Sequence, residues 1–189
     1  MKLRSITATL FVMVAIVANQ AHAGTFSAAY PSASSIVVAS TGQIEPGEYG
    51  SFWSVARGDS ITQTFTGTGL ASVNELDLVL PITLYGLQVP VDWNVKVNNQ
   101  LVGSWVWTPG ASTGQLDVTY RFPDIVGADS YTVSMQVSNE VPPGDGSIAI
   151  GTGTMTLQGG SSVPDACSTL ALFGLGLSVL GFGRRFFRS

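Results

Sequence analysis

The sequence predicts an all-β protein, an antiparallel two-sheet sandwich of jelly-roll type flanked by an N-terminal signal helix and a C-terminal transmembrane helix. Three observations lead there. Apolar and polar residues alternate with period two through the middle of the chain, the mark of strands buried on one face. No helical stretch of ten or more residues interrupts them, and the uncharged apolar runs lie at the two ends. Of the 189 residues 45% are hydrophobic and 11% charged, too apolar for disorder and too poor in charge for a helical bundle. A net charge of −4 argues against a nucleic-acid partner, whose footprint would be basic.

Residues 1–23 open with Lys2 and Arg4, run apolar from Ile6 to Ala18, and end in Ala21-His22-Ala23. This is the layout of a signal peptide, with the small residues Ala21 and Ala23 placed for signal peptidase to cut after Ala23. A permanent N-terminal anchor would need roughly 20 apolar residues.

The exported domain is expected over 24–158. Its clearest strands are Ile61 to Phe65, the run with Leu76, Leu78 and Leu80 set against Glu75 and Asp77, Trp93 to Val97, Leu116 to Phe122, and Tyr131 to Val137. Ser35 to Ala39, Ser51 to Val55, Leu101 to Trp107 and Ser147 to Leu157 are weaker candidates. Eight or nine strands separated by Gly, Pro, Asn and Asp turns give two packed sheets. Val95 to Ser104 reads as a tight hairpin, because Asn98 and Asn99 tolerate the positive φ of its turn. That hairpin resembles those of galactose-binding-like and other carbohydrate-binding sandwiches, with Asn99 standing where glycine is usual.

A flexible linker is expected over 159–163, followed by a C-terminal segment at 164–189. Ala166 to Gly183 carries no charge, with a transmembrane helix at about 168–183, and 18 helical residues reach about 27 Å, enough for a hydrocarbon core. Gly174, Gly176, Gly181 and Gly183 would weaken a water-soluble helix and suit a membrane one. Arg184, Arg185 and Arg188 form a stop-transfer cluster that holds the C-terminus in the cytoplasm and leaves the domain outside. The motif Val163-Pro164-Asp165-Ala166-Cys167-Ser168-Thr169, the helix and the arginines together resemble the PEP-CTERM protein-sorting signals, closest to the variant that begins Val-Pro-Asp-Ser-Gly-Ser-Thr. Val163, Pro164, Asp165, Ser168 and Thr169 match, while Ala166 and Cys167 depart from the variant's Ser and Gly. The resemblance implies recognition and cleavage by an exosortase and export across the inner membrane of a gram-negative-type cell. It further implies a transient anchor, delivery to the envelope surface or extracellular matrix, and a setting of extracellular polysaccharide. The competing reading is a plain single-span anchor. Cys167, the only thiol, reads as a small apolar filler at the membrane interface rather than a lipidated residue.

With both ends set aside, residues 24–163 hold three bases, Arg57, Lys96 and Arg121, against eleven acids, a net charge of −8. They contain neither histidine nor cysteine, which excludes Ser-His-Asp and Cys-His catalysis and zinc sites of His/Cys type. No catalytic residue, metal site or cofactor is therefore assigned. Calcium is the one ion with donors at hand, from Glu45, Glu48, Asn139 and Asp145, though no Asp-x-Asp-x-Asp-Gly loop is present. A carbohydrate-active enzyme would need two carboxyls across a cleft. Glu75 and Asp77 instead share one strand face and read as solvated. Carbohydrate binding finds its candidates in Trp105 and Trp107, about 6 to 7 Å apart on one strand face, with the amides of Asn94, Asn98 and Gln115 to flank a sugar. A core role competes for at least one of that pair, and Trp53 and Trp93 are expected in the core.

Overall fold

The structure is a computed structural model and describes residues 23–40, 43–45, 48–108 and 114–160. The signal segment before Ala23, the sorting motif, the apolar C-terminal run and its arginines lie outside the described residues. Residues 23–162 form one compact unit. Among the described residues no helix is long and apolar enough to cross a membrane.

Twelve strands follow one another: β1 Ala23–Tyr30, β2 Ile36–Val38, β3 Gln43–Glu45, β4 Glu48–Phe52, β5 Ser60–Thr66, β6 Ser72–Tyr85, β7 Val91–Val97, β8 Gln100–Trp107, β9 Gly114–Val126, β10 Ser130–Val137, β11 Ser147–Gly151 and β12 Gly153–Gly160. The large sheet runs β1-β12-β6-β11-β4-β3, with β9 on the other edge of β6, and the small sheet runs β2-β5-β10-β7-β8. All pairings are antiparallel. From β4 to β7, and again from β8 to β11, the chain passes back and forth between the sheets, the jelly-roll-like sandwich that the alternation predicts. Leu76, Leu78, Leu80 and Ile82 of β6 face Trp93, Val95, Val97, Tyr131, Val133 and Met135 of the small sheet, and all are fully buried.

The strand count exceeds the sequence expectation for identifiable reasons. The predicted cleavage falls after the first residue of β1, and the small residues of this strand show little apolar contrast. The Ser147 to Leu157 candidate is two strands, broken at Thr152. That break serves β6, which carries Pro81 in its middle. β12 pairs with β6 as far as Val79 and β11 resumes at Ile82, so the residue without an N–H faces the gap where no ladder bond is needed. Gly159 and Gly160, expected in the linker, close β12 opposite Gly24 and Ala23. A Cβ on Gly159 would lie 2.0 Å from the Ser72 carbonyl oxygen, so only glycine fits there.

The β7–β8 hairpin forms as expected, with Val97 opposite Gln100 and positive φ at Asn98 (47°) and Asn99 (64°). Its register shifts once, because Val95 pairs with Gly103 but Lys96 pairs with Leu101. The extra residue, Val102, is a bulge that turns Leu101 away from the face of Gly103 and Trp105, leaving it 61% exposed.

Candidate functional site

The proposed Trp105–Trp107 sugar platform is not on the surface. β8 turns both rings toward the opposite sheet. Trp105 is 7% exposed and stacks on the fully buried Trp93 with centroids 5.6 Å apart and planes 3° apart. Trp107 packs edge-on against Trp105 at 5.9 Å and is half-buried. Phe52 reaches Trp93 from the large sheet at 5.5 Å, so the indoles continue the core toward the β8 edge. Gly103 completes that inward face. The Tyr120 ring of β9 occupies the place where a side chain at 103 would stand.

The amides chosen to flank the sugar are dispersed. Asn94 and Asn98 lie on the outer face of the small sheet, since Trp93, Val95 and Val97 take the inner one. Asn98 Oδ1 accepts a hydrogen bond from the Thr132 N–H at 2.9 Å, which pins the turn. Gln115 is exposed on the large sheet opposite Pro81. These five residues do not converge on one site.

Glu75 and Asp77 lie on the outer face of β6 and are engaged laterally. Arg121 Nε donates to Glu75 at 2.5 Å. Asp77 accepts from Thr119 Oγ1 at 2.6 Å and from Gln158 Nε2 at 3.1 Å. The result is a polar ladder across β9, β6 and β12, which holds the Arg121 guanidinium above its usual pKa through the hydrogen bond and charge of Glu75. Of the calcium candidates, Asn139 is committed to the backbone: its Oδ1 accepts from the Asp92 N–H and its Nδ2 donates to the Pro90 carbonyl. The side chains of Glu45 and Glu48 lie outside the described residues. Among the described residues no three His, Cys, Asp or Glu side chains gather to hold a metal ion.

The aromatic surface lies elsewhere. Trp53 directly follows Phe52, and Tyr85 directly follows Leu84; the second member of each couple faces outward because the first faces the core. Trp53 and Tyr85 are each 42% exposed, and they stack with centroids 5.6 Å apart and planes 25° apart. β11 lies between their strands, so their backbones are about two strand spacings, or roughly 9.6 Å, apart. The rings must therefore lean together across β11, where Ser147, paired with Tyr85, keeps only 3% of its surface. Expecting Trp53 in the core was wrong for a definable reason. Two adjacent residues of a strand cannot both face inward, which turns Tyr85 out after Leu84, and Trp53 stands in the turn that follows the inward-facing Phe52 at the end of β4.

Residues 162–187 match the family model described as the VPDSG-CTERM motif, and the C-terminal segment is a sorting signal of that kind. No curated protein matches the chain in sequence. The chain is similar to several solved structures at low identity. A family two carbohydrate esterase from Cellvibrio japonicus is 15% identical over 76% of this chain and 36% of its own, with a TM-score of 0.42; this chain thus spans about a third of that enzyme. The CBM36-1 domain of a multidomain xylanase from the hindgut metagenome of Trinervitermes trinervoides is 12% identical over 75% of this chain and all of its own, with a TM-score of 0.46. A family 35 carbohydrate binding module from Clostridium thermocellum is 12% identical over 72% of this chain and 98% of its own, with a TM-score of 0.40.

Proposed function

We propose that this is a non-enzymatic cell-surface or extracellular-matrix protein, exported through its signal peptide, cut by an exosortase at the C-terminal sorting signal, and associated with extracellular polysaccharide. The observation that carries the reading is the sorting motif at 162–187, which starts two residues after the last strand ends. The domain ends suit that handling. Gly24, the first residue after the predicted cleavage, and Gly159 are partners in the β1–β12 ladder, so the chain enters and leaves the sandwich at one place. Beyond Gly160 only Ser161, Ser162 and Val163 precede Pro164, so the motif follows closely on the domain. The non-enzymatic part is supported by Glu75 and Asp77, which are tied into a lateral ladder and do not face each other across a groove.

Intact mass of the protein recovered from the cell surface tests the processing. A product that starts at Gly24 and ends near Val163 to Asp165 is expected. A product that ends at Ser189 means a permanent single-span anchor and overturns the exosortase step.

A further inference from the structure

The geometry points to the stacked Trp53–Tyr85 pair as the binding platform of this domain, with a neutral polysaccharide as its ligand. The inference rests on the proposed association with polysaccharide and adds to it a place and a chemical class.

A soluble domain has little reason to hold an indole and a phenol together on its outer face, since leaving either ring 42% exposed forgoes much of its burial free energy. Yet the structure brings these rings together. One stands just past the end of β4 and the other ends β6, with β11 between those strands, and they stack at 5.6 Å with planes 25° apart, which leaves a contiguous apolar patch with ring surface in solvent. The C–H face of a pyranose ring is the apolar surface of a carbohydrate, and it can rest on exposed aromatic surface while its hydroxyls remain in water.

Size and charge select the occupant. Two aromatic side chains with 42% of their surface free present about 200 Å². A specific protein interface needs about 1,000 Å². The patch suits one or two sugar rings and is too small for a second copy of the chain. Polar groups follow both rings along the chain: Arg57, four residues after Trp53, pairs with Glu140 in solvent, and Gln88, three residues after Tyr85, donates its N–H to the Asp145 carbonyl at 2.8 Å. A domain charge of −8 repels an anionic polymer and is indifferent to a neutral one.

Affinity electrophoresis of the full-length protein in mild detergent tests this, with hydroxyethylcellulose, xylan and galactomannan as neutral probes and alginate as the anionic one. At least one neutral polymer is expected to retard the protein and alginate is not. Trp53→Ala and Tyr85→Ala should each weaken the binding about tenfold or more, Trp53→Phe should recover part of it, and Val126→Ala, which trims an exposed apolar residue elsewhere, should change nothing. Thermal midpoints near that of the parent protein certify that the variants fold. Retardation that survives both ring removals, or is lost equally in Val126→Ala, overturns the site while leaving polysaccharide association standing. Retardation by no neutral polymer overturns both. A sedimentation mass that falls from dimer to monomer in Trp53→Ala, with retardation unchanged, assigns the patch to a second copy instead.

Discussion

The four tryptophans divide into two groups that do opposite work. Trp93, Trp105 and Trp107 form a row that runs from the centre of the sandwich to the β8 edge, while Trp53 stands on the outside with Tyr85. Nothing in the residue type separates them. Place in the strand does: Trp93 and Trp105 are paired residues on the inner face of the small sheet, and Trp53 stands in the turn one step past the inward-facing Phe52 that ends β4. A single residue of register decides whether an indole supports the fold or is left for a ligand.

Removing a ring from each group should expose the difference most strongly. Trp93→Ala deletes a fully buried side chain that touches Phe52 and Trp105, and should cost about 3 to 5 kcal/mol in chemical denaturation. Trp53→Ala should cost less, about 1 kcal/mol, because 42% of the residue lies in solvent and the deletion removes its stacking on Tyr85. Equal losses would erase the distinction. A milder probe of the inner group is Gly103→Ala. The new methyl would stand 2.0 Å from Tyr120 Cδ1, and displacing that ring should cost about 1 to 3 kcal/mol.

Tyr120 sharpens the picture through pH. Burial lifts its phenol to about 12, and its hydroxyl has no hydrogen-bond partner among the described residues. The fold therefore favours the neutral phenol. Its contribution is fully present below the unfolded value near 10 and is lost as pH rises from there through about 12. Tyr120→Phe should leave neutral-pH stability unchanged or slightly higher, since no internal bond is lost, and should make the alkaline decline shallower. Tyr131 provides the contrast: its hydroxyl donates to the Leu70 carbonyl at 3.1 Å, and Tyr131→Phe should cost about 1 kcal/mol at neutral pH. Urea midpoints at pH 7 and pH 11 measure both.

Much of the sandwich was legible because period-two alternation is a local signal. β5, β6, β7, β9 and β10 each show it, and their inward residues are those the pattern selects. What escaped depends on partners distant in sequence. β1 is a strand because β12 lies beside it, and Gly159 is buried because Ser72 lies over it. The bulge at Val102 reverses the side of Leu101, and no local pattern in Val95 to Ser104 announces it. The candidate platform failed for the same kind of reason. Trp105 and Trp107 do share a strand face, as their spacing says, but which face meets the other sheet is a tertiary fact. The C-terminal motif was legible as a resemblance, since the residues that carry it are contiguous and need no fold to be read.

Acrylamide quenching of tryptophan fluorescence, with and without the neutral polymer that binds best, tests the division of labour most directly. The account predicts one readily quenched indole in the parent protein, shielded when polymer is added, and a Trp53→Phe variant that lacks both the quenched component and the response to polymer. A variant that keeps the quenched component, or is shielded by polymer as strongly as the parent, would contradict it.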